Sequence, residues 1–453
     1  MDRRKFITST GAATAGALLI NPVKVVAGTT GRRSRKKRVA LVGTGVRGTG
    51  MYGRNLMRDY SDYVNMVGIC DANPGRLKVG RDMIGVDSPV YTDLEEMITK
   101  EKPETLIVTT WDSTHHDVIN KGMEMGCDII VEKPLTIDEV KAQSIIDAEK
   151  KYGKTCIVTF NYRYPPYRAK MKEMIMEGMI GDVTSVDFHW NLHHGHLQAY
   201  MMRWHGEMNR GGSLWVHKST HHFDMVNWFI NSEPVQVNAF SALERFGSKG
   251  PFRGNNCRNC AHTAKCPYYW NINENERLKR LYADNEHYDG YIRDNCVFRH
   301  QIDVFDKHSA IVKYANGAYL NYSLTADTDY SGYWLAFNGT KGRLESRVLG
   351  FPREDHAKVV FTPVSIYNDK PAEVINIDFA RGGHWGGDPI MMDKLFKDPD
   401  TPDPLGQQAG VRDGVMSILI GIAARKSSAE NRPVDIEGLT TLKPQAEKPI
   451  FSP

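Results

Sequence analysis

Several absences narrow this 453-residue sequence. After the N-terminal region no apolar run is long enough to cross a bilayer, so stable membrane insertion is not expected. No sign of charge dominates the body. The formal charge is +4, but residues 1–38 hold ten of the 58 Lys/Arg and one of the 54 acids. The rest carries 48 basic against 53 acidic residues, a mildly acidic balance that argues against nucleic-acid binding. No H-E-x-x-H occurs. What is present is ordinary for a globular protein: 41% hydrophobic, 25% charged, and length for two or three domains.

Residues 1–28 read as a signal peptide, with a basic start and a modest apolar stretch from Phe6 to Ile20. Arg3-Arg4-Lys5-Phe6 resembles a twin-arginine signal, which implies export in the folded state to the periplasm or beyond. Val25-Val-Ala27 offers a cleavage site; an uncleaved anchor is the alternative. Residues 29–37 form a basic linker.

Val39 to Val42 reads as a buried parallel strand. It runs into Gly43-Thr44-Gly45-Val46-Arg47-Gly48, in G-x-G-x-x-G spacing. In such a loop the first glycine makes the turn, the second admits a pyrophosphate and the third lets the next helix pack closely. That helix should begin near Val46 and aim its N–H groups at phosphate. Asp71, after the second apolar run, stands where a ribose 2′-hydroxyl needs an acceptor and favours NAD; Arg76 keeps NADP open.

From residue 38 to 160, strands and helices alternate, predicting a doubly wound parallel sheet with ligand at the strands' carboxyl ends. Thr110, Trp111 and His115 follow one strand there, Glu132 and Lys133 the next, and Asn161, Arg163 and Tyr164 the last. Lys133, extended before Pro134, could polarise a substrate oxygen or be a turn lysine. Residues 161–453 read as a second α/β domain with strands over 184–190, 235–242, 309–314, 318–323 and 333–337. Asn316-Gly317 marks a hairpin.

The ordered set Gly43-x-Gly45-x-x-Gly48, Thr110-x-Asp112-x-x-His115, Glu132-Lys133-Pro134, Asn161-Tyr-Arg163-Tyr164 and Gly178-Met-Ile-Gly181 resembles the glucose–fructose oxidoreductase/inositol dehydrogenase (Gfo/Idh/MocA) family. The similarity runs from about residue 38 to 436. It implies an N-terminal Rossmann domain and a C-terminal domain with an open, mostly antiparallel sheet. Such a sheet often serves as an oligomer interface, here of a homodimer or homotetramer.

Eight of the 16 histidines lie between His189 and His222. Gly211-Gly-Ser-Leu-Trp-Val-His217-Lys-Ser-Thr-His221-His222-Phe-Asp224 resembles the family's active-site signature, with His217 where an Asp is usual and His221 at the catalytic histidine. On one helix, His217 and His221 would share a face. Taking a hydride from a carbinol carbon also requires removal of the hydroxyl proton, which suits histidine. His221 is therefore expected to be the base, Lys133 to orient the oxygen and His217 to assist. Zinc on His217 and His221, near His193-His194-Gly-His196, competes. Arg163, Tyr164, Arg203, Trp204 and His222 are expected to bind substrate, with His384 and Asp388 from a glycine-rich loop. Both His217 and His222 could instead cap or pack helices.

Cys257, Cys260, Cys266 and Cys296 cluster in an insertion at about residues 245–300. They could hold a metal or form two disulfides, in a loop that roofs the pocket. Together these features point to an exported NAD(P)-dependent oxidoreductase with a tightly held cofactor, acting on a sugar or glycoside hydroxyl. A glycosidase or lyase working by transient oxidation, elimination and re-reduction is one alternative. A non-catalytic sugar-binding protein is another.

Overall fold

The computed structural model describes residues 35–351, 355–363 and 371–453. The expected signal peptide, its cleavage site and most of the linker lie outside them.

Six short strands form the first sheet: β1 (Lys37–Val42), β2 (Val64–Cys70), β3 (Val90–Tyr91), β4 (Thr105–Val108), β5 (Asp128–Val131) and β6 (Cys156–Val158). All are parallel, in the order β3-β2-β1-β4-β5-β6. The apolar run of β1 is explained by burial on both faces. Val39 and Leu41 pack with Tyr52, Leu56 and Ile69, while Ala40 and Val42 pack with Leu106 and Val108. Helices close the connections as expected: Leu94–Glu101, His115–Glu124 and Glu139–Tyr152.

The second sheet has nine strands: β7 (Val183–His193), β8 (Pro234–Ala242), β9 (Lys307–Tyr314), β10 (Tyr319–Thr328), β11 (Ser331–Gly339), β12 (Gly342–Phe351), β13 (His356–Pro363), β14 (Glu373–Asp378) and β15 (Val434–Asp435). Their order is β14-β13-β12-β11-β7-β10-β9-β8-β15. Among the described residues of this sheet only β7 and β10 pair in parallel. The Asn316-Gly317 turn joins β9 to β10, with Gly317 at φ 91°. Along β9 burial alternates strictly, His308, Ala310, Val312 and Tyr314 inward. The other face is open and shows Phe240, Ile311, Tyr319 and Trp334. Helix Val411–Glu430 lies between the sheets, where Gly414 approaches Leu135 and Val158, and Gly421 the Trp215 carbonyl. Among the described residues no helix is long and apolar enough to cross a membrane.

Two expected pocket residues belong to the core. Arg163 is fully buried. It donates to Asp224, to Asp413 at 2.9 Å, and to the carbonyls of Gly406 and Gln408. Lys448 adds a second cation on Asp413 at 2.5 Å. Burial raises Asp413, but Arg163 and Lys448 hold its carboxyl down at about 2. Asp224 is pushed up to about 6 by burial, against the Arg163 charge. Tyr164 is also buried, in the apolar layer with Tyr52 and Met391.

The insertion between β8 and β9 is folded into short turns and helices, including Glu276–Leu281 and Glu286–Asp289. Its four cysteines line a cavity of about 10 Å³ with Phe252 and Tyr268. All seven cysteines are free thiols, and burial pushes Cys257 up to about 12. Among the described residues no three His, Cys, Asp or Glu side chains are arranged to hold a metal ion.

Candidate active site

The carboxyl ends of β1, β4, β5 and β6 converge on one edge of the parallel sheet. Gly43 turns at φ 97°, against the Thr109 backbone. A Cβ on Gly48 would sit 2.1 Å from the Gly43 carbonyl, so the helix that follows can approach only as glycine. The chain is helical from Val46, widening over Gly48–Asn55. Asp71 sits beneath the loop and accepts from the Thr44 N–H at 2.7 Å and its hydroxyl at 2.9 Å. This glycine cradle and its carboxylate fit a dinucleotide with an unphosphorylated ribose.

Arg76 is nearby but its charge is engaged. It lies 3.4 Å from Asp71 and 2.5 Å from Asp289. A 2′-phosphate would meet two carboxylates. Replacing Asp289 with Ala is expected to raise NADP affinity relative to NAD about tenfold, a shift of about 1.4 kcal/mol. Nucleotide titration of both forms checks this.

Arg47 and Glu132 meet each other. The Arg47 Nε donates to Glu132 at 2.7 Å, and its other nitrogens reach Asp388 at 3.3–3.4 Å. Asp388 also accepts from the Asn161 amide at 2.6 Å and lies 2.9 Å from the His384 ring. Burial raises the Asp388 carboxyl, but His384 and Arg47 hold it well below the usual carboxylate range. The expected glycine-rich loop is a turn leading into helix Gly387–Met392, and it does reach the sheet edge. His115 ties two loops together, its ring between the carbonyls of Pro134 at 2.9 Å and Thr110 at 3.3 Å. It is a positioning group, and burial pushes it down to about 4.

Lys133 forms the chemical centre, next to a cis bond to Pro134. Its Nζ lies 3.2 Å from the His217 Nε2 and donates to the His217 carbonyl at 3.2 Å. The His217 Nδ1 is bonded to Asp112. These partners assign the tautomer: Nδ1–H toward the carboxylate, Nε2 accepting from lysine. Burial lowers Lys133 to about 8, opposed by Asp112 and Glu132. Burial, then Lys133, keeps His217 and His221 well below the ordinary imidazole value, so both are neutral.

The segment is not one helix. It breaks at Lys218-Ser219 into Leu214–His217 and Thr220–Ile230, so His217 and His221 do not share a helical face. Both nevertheless lie in the field of Lys133. His221 stacks on Tyr162 at 4.1 Å, and its buried Nδ1 has no partner among the described residues. His222 turns into the core, stacked on Trp190 and bonded to the Tyr322 hydroxyl at 2.7 Å. It packs the fold and does not line a substrate site. Trp204 stacks on Trp111, with Arg203 beside Tyr200.

Two residues were not singled out by sequence. Asp112 stood in a quoted motif without a role. Lys218, 5% exposed, donates to the Tyr162 hydroxyl at 3.0 Å and lies over Trp190. Burial, then Arg168, lowers it to about 7. Its only signal is a lysine within an otherwise buried turn.

A model of the oxidoreductase family with an NAD-binding Rossmann fold matches residues 37–160, and one of that family's C-terminal α/β domain matches residues 172–436. The chain belongs to the Gfo/Idh/MocA oxidoreductase family. YteT of Bacillus subtilis, whose name describes an oxidoreductase without a substrate, is 34% identical across 89% of this chain and 98% of its own. A Lactiplantibacillus plantarum inositol 2-dehydrogenase/D-chiro-inositol 3-dehydrogenase is 26% identical over 45% of this chain and 55% of its own. Levoglucosan dehydrogenase, solved with NADH and levoglucosan, shares the fold with a TM-score of 0.64 at 19% identity, covering 89% of this chain and all of that one. As a Gfo/Idh/MocA member the chain is an NAD-binding oxidoreductase.

Proposed function

We propose that the protein is an exported dehydrogenase that oxidises a secondary hydroxyl of a sugar or glycoside with a tightly held NAD. One observation carries the reading: the Asp112–His217–Lys133 chain of bonds at the carboxyl edge of the parallel sheet, with His221 in the field of the Lys133 charge. Bound NAD would supply the hydride acceptor. Asp112 fixes His217, and His217 fixes Lys133 by taking one of its N–H groups. A further N–H of Lys133 is then available to a substrate oxygen. His221, neutral and with an Nδ1 unpaired among the described residues, receives the hydroxyl proton. Lys218, Tyr162 and His384 surround His221 with hydroxyl-binding groups. The inositol and levoglucosan dehydrogenases among the similar proteins support a polyol or sugar substrate. The basic, twin-arginine-like N-terminus supports export, and the open sheet face with Phe240, Ile311, Tyr319 and Trp334 supports a homodimer or homotetramer.

Incubation of the mature protein with a panel of sugars and aryl glycosides tests the reaction. A keto-sugar matched by NADH, or by reduction of a second sugar, is the expected product. Aglycone release with no net NADH would replace this reading by the elimination–re-reduction route. Substrate binding without any product would leave a sugar-binding protein.

A further inference from the structure

The insertion folds back onto the NAD loop. The Tyr282 hydroxyl accepts from the Val46 N–H at 3.1 Å, and Arg277 donates to the Val46 carbonyl at 3.4 Å. A Cβ on Gly45 would meet the Tyr282 hydroxyl at 3.2 Å. On the adjoining helix, Asn73 donates to the Asn285 carbonyl at 2.9 Å and Arg76 pairs with Asp289. Tyr291 packs edge-on against Trp111 at 5.6 Å. The insertion therefore lies across the loop from its glycine turn to the Asp71 side.

Val46 and Gly45 are where a G-x-G-x-x-G loop receives a pyrophosphate. A guanidinium group stands on Tyr282. Arg293 lies over the Tyr282 ring at 5.9 Å and Trp270 at 5.5 Å, without a carboxylate partner among the described residues. A guanidinium with no carboxylate partner favours an anion beside it. The pyrophosphate of NAD carries two negative charges.

We propose that residues 272–293 form a cofactor-retaining strap, in which Tyr282 and Arg293 bind the pyrophosphate of NAD and keep it on the protein between turnovers. This rests on the NAD-dependent reading above. Tyr282 can donate its own proton to a phosphate oxygen, and the Arg293 guanidinium offsets its charge. Asn285, Asp289 and Tyr291 anchor the strap to the nucleotide-binding half.

The test uses the purified full chain. Nucleotide is identified by mass spectrometry after denaturation. Release of bound NADH into excess unlabelled NAD is followed by energy transfer from tryptophan. The wild type should retain close to one NAD(H) per chain and release it slowly. Tyr282→Phe and Arg293→Gln, each checked for unchanged circular dichroism and melting without nucleotide, should release NADH about 10- to 100-fold faster, as expected for loss of a charge-assisted hydrogen bond. Unchanged release in both variants overturns the strap while leaving NAD dependence intact. Tighter binding by Tyr282→Phe also overturns it, because the hydroxyl would then be a competitor for the phosphate position. Failure of the wild type to bind NAD or NADP overturns the underlying reading as well.

Discussion

Lys133→Met should lower kcat about 10³-fold while the protein keeps its NAD, because the change removes a preorganised donor at the reacting oxygen without touching the glycine cradle. The pH profile carries a second signature. Burial lowers the Lys133 pKa to about 8, so the ammonium form that orients the oxygen is present below that pH and lost above it. His221 stays neutral throughout and adds no limb near neutrality. For the wild type, kcat/KM should therefore fall as pH rises past about 8, and the residual activity of the variant should lack that fall. A variant with full activity, or with the same alkaline limb, would remove Lys133 from the chemistry.

Arg163→Met is expected to act on stability. Breaking a buried ion pair by removing one partner costs about 3–5 kcal/mol, since the remaining charge stays dehydrated. Here two carboxylates, Asp224 and Asp413, would be left with only Lys448. Thermal melting should fall sharply near neutrality, and the difference from the wild type should shrink in acid. The Asp413 carboxyl is held below its unfolded value, so its contribution is complete above about pH 4 and disappears as pH falls toward about 2. If melting were unchanged and only the substrate KM rose, Arg163 would belong to the pocket, as its motif position first implied.

The difference between Lys133 and Arg163 shows what could be read from sequence. Both follow parallel strands at the carboxyl edge, and strand position predicted both as site residues. Lys133 meets groups brought by another part of the chain, whereas Arg163 meets Asp224 and Asp413, 61 and 250 residues away. A local motif cannot tell which long-range partner a guanidinium finds. The parallel sheet, the hairpin at Asn316-Gly317 and the glycine turn after β1 were legible because each depends on short-range periodicity or turn chemistry. The helix expected through His217 and His221 was not interrupted by any glycine or proline; it breaks at Lys218-Ser219, where the Lys218 side chain turns to Tyr162 and Ser219 to Tyr322. His222 shared the composition of the site and not its direction. The insertion carried no periodicity, so its approach to Val46 could be seen only once folded.

Lys448 gives the buried charge set a topological consequence. Its ammonium reaches back past β15 to Asp413, at the start of helix Val411–Glu430, and Arg163 reaches the same carboxylate from the end of β6. Three stretches of chain thus share one carboxylate, and loosening any of them loosens the helix that lies between the two sheets.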